Sequence, residues 1–558
     1  MPKLTMPIGK SDFAKVRTAG DYYIDKTMLI EQITASGAEV TLFTRPRRFG
    51  KSLNMSMLQH FFDIQEDSRA LFASLAVSKN QTLCENWMNQ YPTILVSFKD
   101  VGANTYDSAV DILRSVISQL FSNYKFIISA DHHLEDYEVD KFKSLLSECP
   151  SEISLKDSLF FLTQLLFKHY NKPVVLLIDE YDVPMAKGEA HHYYDQITDI
   201  MRYMFSKVLK DNPYLKFAVL TGCLRIAKES IFTGLNNLKN YSILDYGFDE
   251  FFGFTDSDID KLLADTGLTE YKEKIRQWYD GYRFGDTDIY CPWDVLNYVS
   301  DLQQKAGIEP KNYWANTSGN DIIRQYLDDG INPQPDFETL LNGKCIRKTI
   351  AEDITYKNLL GSEENFWSVL LMTGYLTVVP ASAADADDGS NDNDGVYLRL
   401  VNNEIKDLFS RTVALWFKEK VMTEDRTQLF QAIWSGDAAT ITDELCGFLG
   451  DSISFYDYHE NFYHAFLAGL LSGVKGITVA SNREAGTGRA DVILKYPRKG
   501  CVAIFEFKLA SSKNAMDSKC DEALEQIETR EYSFPFRHDN VLKYGVAFFE
   551  KKCLVKKG

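Results

Sequence analysis

The sequence predicts an α/β protein of several domains, with a doubly wound parallel sheet near the N-terminus and a smaller mixed sheet near the C-terminus. Three observations predict it. An apolar, β-branched run (Val40, Leu42, Phe43) passes through an Arg- and Gly-rich turn into a helical pattern carrying Leu53, Met57, Leu58, Phe61 and Phe62. A second apolar run, Val174 to Ile178, stops at Asp179-Glu180, with another strand–helix unit between the two. Far downstream, two short apolar strands are marked by Asp491, Glu506 and Lys508.

The chain has 558 residues, more than one hydrophobic core organises, and 45% are hydrophobic, so three or four domains are expected. A formal net charge of −18 argues against a protein that coats nucleic acid non-specifically, because that mode rests on surplus Lys and Arg. The charge is uneven: residues 481–558 hold 15 Lys and Arg against 11 Asp and Glu, which leaves room for a local basic site. Nine cysteines are scattered, without a CxxC pair. They support neither a disulfide framework nor a zinc site, and they point to a reducing compartment. The start MPKLTMPIGK lacks a signal-type apolar core, and no run of about 18 apolar residues occurs, so a cytoplasmic protein without a membrane span is expected.

Residues 20–34 read as an extended segment entering a helix, with Asp25 as N-cap and Leu29, Ile30 and Ile33 as its apolar stripe. The turn after the first strand closes on Gly50-Lys51-Ser52, the end of GxxxxGK[ST]. In that loop backbone N–H groups and a helix N-terminus cradle phosphates, the Lys reaches the β/γ oxygens and the Ser hydroxyl binds Mg²⁺. The first Gly of the motif falls on Arg45. Residues 91–98 form a second strand, with helices at 107–121 and 156–170. At the end of the next strand Asp179 is placed to hold a Mg²⁺ shell and Glu180 to orient an attacking water. Alone, such an acidic stop is as readily a solvated turn; downstream of GKS it reads as the second element of a nucleotide hydrolase. The strand 217–220 ends in Thr221, a candidate sensor of a γ-phosphate. Arg225 stands equally as a contact to transferring phosphate charge or as a surface residue.

The runs TRPRRFGKSLN, LLIDEYDVP, LTGCLRIAKESIFTGLNNL and FFGFT together resemble the prokaryotic AAA-ATPase-like family, whose members commonly carry a C-terminal nuclease domain of the PD-(D/E)xK type. The resemblance is strong over about residues 1–255, continues through WYDGYRFG and Pro292-Trp293, and returns at the C-terminus. It implies nucleotide binding by Gly50, Lys51 and Ser52, and Mg²⁺ and hydrolysis roles for Asp179 and Glu180. An Arg at the Arg45 position is then a trait of the group. Arg45, Arg47 and Arg48 either add charge to the nucleotide site or face solvent or the lid.

After FGFT, Thr255-Asp256-Ser257-Asp258 caps a helix over 257–266, and residues 270–300 read as helical with an aromatic turn at YDGYRFG. Trp278, Tyr279 and Tyr282 read as lid core rather than as a nucleobase platform. Helical patterns at 318–328 and 363–372, a strand pair (374–379 and 396–401) and a helix (403–417) resemble a winged helix, which binds DNA or packs between domains. The acidic loop PASAADADDGSNDNDG between those strands fails the EF-hand spacing. Counting back from Gly395 puts the first ligand on Ser390, and the closing Glu position is Val401. The loop reads as a solvated hairpin tip.

From about 425, helices at 426–434, 437–449 and 459–472 precede the mixed sheet. Asp491 opens the strand of GRADVIL, and 15 positions later Glu506 and Lys508 mark CVAIFEFK, at i and i+2 on one strand face. Two carboxylates converging with a Lys can hold Mg²⁺ while the ammonium positions or activates a water for attack at a phosphodiester. Charges inside a buried strand are costly without partners, which favours a site over a plain hairpin with edge charges. The pattern D-x₁₄-ExK resembles the PD-(D/E)xK nucleases. By that resemblance Glu460 adds a carboxylate, Gln526 orients the site and Arg489 contacts phosphate, although Glu460 and Gln526 read equally as helix-surface residues. His459 and His464 read as structural or exposed.

The expected organisation is an AAA-like P-loop ATPase domain (1–255), a helical lid (256–305), a middle helical and winged-helix-like region (306–424) and an α/β restriction-endonuclease-like PD-(D/E)xK domain (425–558). The expected function is an ATP-dependent or ATP-gated, Mg²⁺-dependent nuclease acting on DNA. ATP and Mg²⁺ are its cofactors, nucleic acid is its partner, and homo-oligomerisation is left open. Its catalytic set is Asp491, Glu506, Lys508, Glu460, Gln526 and Glu180. Its nucleotide set is Arg45, Arg48, Gly50, Lys51, Ser52, Asp179, Thr221 and Arg225, and its metal ligands are Ser52, Asp179, Asp491 and Glu506. Two alternatives stand beside it: a nucleotide-dependent switch whose nuclease-like domain binds without cutting, and an ATPase that remodels protein.

Overall fold

The computed structural model describes residues 4–129, 134–224, 231–232, 236–314, 334–351, 354, 356, 362–383, 395–410, 425–450, 467, 470–471, 476–485, 488–549 and 552–558. It divides into two compact units, Met1–Thr317 with Arg347–Lys406, and Ser318–Ile346 with Asp407–Gly558.

The first unit is built on a sheet of five parallel strands: β1 (Val40–Thr44), β2 (Thr93–Ser97), β3 (Val174–Asp179), β4 (Leu215–Gly222) and β5 (Leu238–Tyr241), in the order β2-β3-β4-β1-β5. Every residue of β1 and β3 is buried, as expected of inner strands of a parallel sheet covered on both faces. The helices Lys51–Phe62, Tyr106–Ser122, Ser158–Tyr170 and Tyr194–Leu209 pack on this sheet. The chain leaves β1, runs out to β2, and returns through β3 and β4 to β1's side before crossing to β5. Ligand sites of open parallel sheets lie outside the strand C-termini where the strand order reverses, which here is beside β1.

Three local expectations change. β5 was not foreseen, because LKNY has one buried residue and no apolar run; its place beside β1 is a tertiary pairing, Val40 with Leu238 and Phe43 with Tyr241. Asp25 does not cap the helix Met28–Ser36, whose N-cap is Thr27. The Asp25 carboxylate instead accepts from the Thr27 N–H at 2.9 Å and the Ala76 N–H at 2.6 Å, tying the helix start to a distant segment. YDGYRFG is part of a β-hairpin rather than a turn within a helical stretch. Helix Lys272–Tyr279 ends, Gly281 takes φ +97°, and β6 (Tyr282–Phe284) pairs with β7 (Thr287–Ile289) before helix Pro292–Gln304. A Cβ on Gly281 would sit 2.2 Å from the Val401 carbonyl oxygen, so both the backbone and the space require glycine.

Thr255 caps helix Asp256–Thr266, with Asp258 completing a capping box. Tyr279 is buried in the core of this region and Trp278 packs against it. Ser362 caps helix Glu363–Thr373, and β8 (Ile346–Lys348), β10 (Val396–Leu400) and β9 (Leu376–Val379) form a three-stranded sheet in that order, β9 and β10 antiparallel. Residues 403–410 are helical. The expected helix at 318–328, the acidic loop at 384–394 and the rest of the helix beyond 410 lie outside the described residues.

In the second unit the helices Thr427–Ser435 and Ala438–Gly450 precede a sheet in the order β11-β12-β13-β14-β15 (Thr478–Ala485, Gly488–Tyr496, Cys501–Leu509, Asn540–Phe549, Lys552–Lys557). Only β13 and β14 pair in parallel, and the helix Met516–Thr529 makes the crossover that such a pairing needs. Most of the expected helix at 459–472 lies outside the described residues. Among the described residues no helix is long and apolar enough to cross a membrane.

Candidate active sites

The first site forms where β1, β3 and β4 end side by side. Gly50, at φ +79°, is the N-cap of helix Lys51–Phe62, and among the described residues no side chain caps that helix, so its first N–H groups can face an anion. The Asp179 carboxylate, at the tip of β3, is held by two hydroxyls. Ser52 Oγ donates to one oxygen at 2.7 Å and Thr221 Oγ1, from β4, to the other at 2.6 Å. The Lys51 ammonium is almost fully buried. It donates to the carbonyls of Arg45 and Pro46 at 2.9 and 2.8 Å and lies 3.7 Å from Cys223 Sγ. Glu180 follows in the left-handed region at φ +53°, an uncommon conformation for a side chain-bearing residue. Burial, with Asp179 next to it, pushes its carboxyl above the usual range. The structure thus brings Gly50, Lys51, Ser52, Asp179, Glu180 and Thr221 together. Ser52 and Asp179 offer hard oxygen donors beside a helix N-terminus that no described side chain caps, a set that fits Mg²⁺ and phosphate.

The arginines have separate uses. Arg45 is fully buried, donates to the Tyr241 carbonyl at 2.7 Å and the Thr44 carbonyl at 2.9 Å, and lies over the rings of Phe252 and Phe284. Burial pulls its guanidinium down to about 10. Arg48 lies 4.0 Å over the ring of Trp293 and donates to the Tyr313 carbonyl at 3.3 Å. Phe49 stacks edge-on against Tyr282. This loop is therefore bound to the 256–314 region through side chains. Arg225 lies outside the described residues.

Asp182, in LLIDEYDVP, is a residue of this site whose task its position in the sequence does not announce. Its buried carboxylate accepts the N–H groups of Cys223 and Leu224 at 2.9 and 3.0 Å and the Tyr356 hydroxyl at 3.1 Å. It fixes the path of the chain just after Thr221. Gly222 is required there, because a Cβ would meet the Tyr181 ring at 2.5 Å. The signal was the second Asp of DEYD, three positions after the first.

The second site lies on β12 and β13. The two carboxylates are interlaced: Asp491 Oδ2 accepts the Phe507 N–H at 2.9 Å, and Glu506 Oε2 accepts the Asp491 N–H at 3.4 Å. Lys508 Nζ stands 3.7 Å from Glu506 Oε1, on the face that the i, i+2 spacing predicts. Gln526, on helix Met516–Thr529, donates from Nε2 to that same oxygen, and its Nε2 also reaches the buried Tyr532 hydroxyl at 3.3 Å. Glu506 is 2% exposed, and burial, then the neighbouring Asp491, push its carboxyl up to about 8 against the pull of Lys508. A buried acid that short of positive charge takes up a proton or a cation, so the pair fits a hard divalent ion whose remaining positions go to water and phosphate. Tyr532 was not singled out in the sequence. Glu460 lies outside the described residues, and Arg489 lies on β12 with its side chain outside them. Among the described residues no group of three or more His, Cys, Asp or Glu side chains is placed to hold a metal.

Fold and geometry define a two-part protein: a phosphate-loop α/β unit, and a mixed-sheet unit with paired acids and a lysine. Comparison with known proteins gives those parts their families. The family described as predicted AAA-ATPase matches residues 7–232, and the PD-(D/E)XK nuclease superfamily matches residues 458–558. The chain therefore carries an AAA-ATPase-like domain at its N-terminal end and a PD-(D/E)XK superfamily domain at its C-terminal end. An uncharacterized protein in the vnfD 5' region of Azotobacter chroococcum mcd 1 is 25% identical over 551 residues, covering 96% of this chain and 94% of that protein. Among solved structures, a Walker-type ATPase of Pyrococcus abyssi aligns at 12% identity and a TM-score of 0.38, covering 71% of this chain and 97% of that one.

Proposed function

We propose that the protein is an ATP-dependent or ATP-gated, Mg²⁺-dependent nuclease acting on DNA. The reading rests on one observation: Asp491, Glu506, Lys508 and Gln526 converge in a chain that also gathers Lys51, Ser52, Asp179 and Thr221. In this reading residues 1–255 bind and hydrolyse ATP, 256–305 cover the nucleotide, 306–424 connect or touch DNA, and 425–558 cut it.

Ser52 and Asp179 would hold Mg²⁺ at the nucleotide, and Asp491 and Glu506 would hold it at the phosphodiester, where a bound ion supplies charge neutralisation and a water of lowered pKa. Lys51 exchanges its loop carbonyls for phosphate oxygens. Thr221 keeps Asp179 oriented and senses the γ-phosphate, while Arg45 and Arg48 brace the loop. Glu180 takes the proton of the attacking water, and burial beside Asp179 raises its affinity for that proton. At the second site Lys508 positions the water or stabilises the phosphate, and Gln526 fixes the carboxylate of Glu506. The basic surplus of residues 481–558 suits a local nucleic-acid surface on an otherwise acidic chain.

Purified protein incubated with Mg²⁺, ATP and linear, circular or single-stranded DNA tests this. Cleavage is expected from the wild type and not from Asp491→Ala. No cleavage by the wild type, or equal cleavage by the variant, would sink the nuclease reading. A switch that binds nucleic acid without cutting is the second reading, favoured by Arg45 in place of the loop Gly and by the net charge of −18. Tight nucleotide binding with very slow turnover and no metal uptake at Asp491 would select it.

A further inference from the structure

The second unit contains a pair of thiols that the nuclease reading does not use. β15 is an edge strand, and an edge presents a row of unpaired N–H groups. Two of them are met by helix Ala438–Gly450: the Val555 N–H donates to Thr442 Oγ1 at 3.0 Å, and the Cys553 N–H to Cys446 Sγ at 3.3 Å. Thr442 and Cys446 lie four apart on one helix face, and Cys553 and Val555 lie two apart on one strand edge, so the two periodicities meet.

The same contact brings Cys446 Sγ and Cys553 Sγ to 3.7 Å. That is within about 2 Å of disulfide bonding distance. All nine cysteines are free thiols, and these two are 107 positions apart, so no sequence spacing announces them. They are also unequal. Cys553 is buried, whereas Cys446 is half-buried and is the one a solute reaches first. Either sulfur can donate across the contact; the Cys446 S–H also reaches the Cys553 carbonyl at 3.5 Å and the Cys553 S–H the Thr442 carbonyl at 3.7 Å. The hydrogen bonds from the Cys553 thiol and N–H pull the Cys446 thiol down to about 6 against burial and Asp443 on its own helix, with Lys552 on β15 assisting. Cys553 is pushed up by the same hydrogen bond and by burial, with Cys520 also facing it. Cys520, on helix Met516–Thr529, donates to the Leu554 carbonyl at 3.1 Å, and burial pushes it up to about 11, which leaves it a bystander. A half-exposed thiol pulled down beside a buried thiol pushed up is the pairing of an attacking and a resolving cysteine.

We propose that Cys446 and Cys553 are a peroxide-oxidised dithiol site, with Cys446 attacking and Cys553 resolving. The Cys446 thiolate attacks one oxygen of a hydroperoxide, the O–O bond breaks, and the departing alkoxide or hydroxide takes a proton from water, leaving Cys446 as a sulfenic acid. The Cys553 sulfur then attacks the Cys446 sulfur, its proton goes to the departing hydroxide, and water leaves as the disulfide forms. The two sulfurs together lose two electrons and the peroxide gains two. A dithiol reductant reverses the bond. The product staples the helix to the edge strand that it already covers.

The test uses reduced, full-length protein and hydrogen peroxide. Remaining thiols are blocked with iodoacetamide, the sample is reduced, and newly freed thiols are labelled with a second reagent before peptide mass analysis. The second label is expected on Cys446 and Cys553 together, and the first on the exposed Cys149. The oxidation rate should fall only about twofold from pH 8 to pH 6, where an ordinary thiol slows about a hundredfold. Cys446→Ser keeps an acceptor for the Cys553 N–H and should abolish the bond. Cys553→Ser should leave Cys446 as a sulfenic acid that dimedone traps. First label on both cysteines, a bond from Cys446 to another cysteine, or a pH profile like that of an ordinary thiol would each overturn the proposal.

Discussion

At the nucleotide loop Asp179 faces two hydroxyl donors, Ser52 and Thr221, whereas in the second unit Glu506 faces another carboxylate, with Lys508 no nearer than 3.7 Å. The first carboxylate is oriented by neutral donors from two other elements. The second is interlaced with Asp491 across adjacent strands and is pushed up to about 8. Donors aimed at a carboxylate favour its charged form, while burial beside a like charge favours the proton. Both sites offer hard oxygens to a cation, but Asp179 has a hydroxyl on each of its oxygens, while Glu506 has the Gln526 amide on one and Asp491 beside it. The acid pair on β12 and β13 is an arrangement that a cation would complete.

The largest expected effects separate the two sites. Asp491→Ala should lower DNA cleavage by about a hundredfold or more and leave ATP turnover on the same preparation unchanged. Glu180→Gln should cut ATP turnover by about a hundredfold with nucleotide affinity retained, and lower DNA cleavage with it if cleavage depends on hydrolysis. If Asp491→Ala also silences ATP turnover, the two sites are one functional unit and the contrast fails.

Gln526→Ala removes the donor that holds Glu506 and should weaken Mg²⁺ binding by about tenfold, read by calorimetry. An unchanged affinity would mean that Gln526 orients nothing. The pH response sharpens the comparison further. Folded Glu506 keeps its proton up to about 8, whereas the unfolded carboxyl releases it near 4.5. The folded state binds more protons between those values, so the stability of chelator-treated protein should fall as pH rises from 4.5 to 8. Glu506→Gln should flatten that slope in denaturant titrations, and added Mg²⁺ should restore stability most at the alkaline end. The smallest effect is expected at Arg45. Arg45→Met keeps bulk against Phe252 and Phe284 but leaves the Tyr241 carbonyl without its donor, a loss of about 1–3 kcal/mol in unfolding free energy.

The sequence by itself determined the apolar strands that carry the two sites and the acids that mark them. β1, β2, β3, β4, β12 and β13 are apolar runs whose burial follows from composition, and an acid at the end of such a run needs partners, so Asp179, Asp491 and Glu506 stood out. Helix caps that depend on neighbours in the chain, such as Thr255 with Asp258, were equally legible. What only the tertiary structure decided depends on contacts between residues far apart. LKNY became β5 because β1 offered it an edge. Asp25 became a tie to Ala76 rather than a cap. Arg45, legible only as a departure from a glycine, turned out to be a buried brace reaching residues nearly 200 positions away. Asp182 was visible but its task was not, since the N–H groups it holds lie on another strand. The Cys446–Cys553 pair had no sequence signal at all. Periodicity reports what a residue does within its own element, while hydrogen-bond partners and charge neighbours are set by which elements pack together.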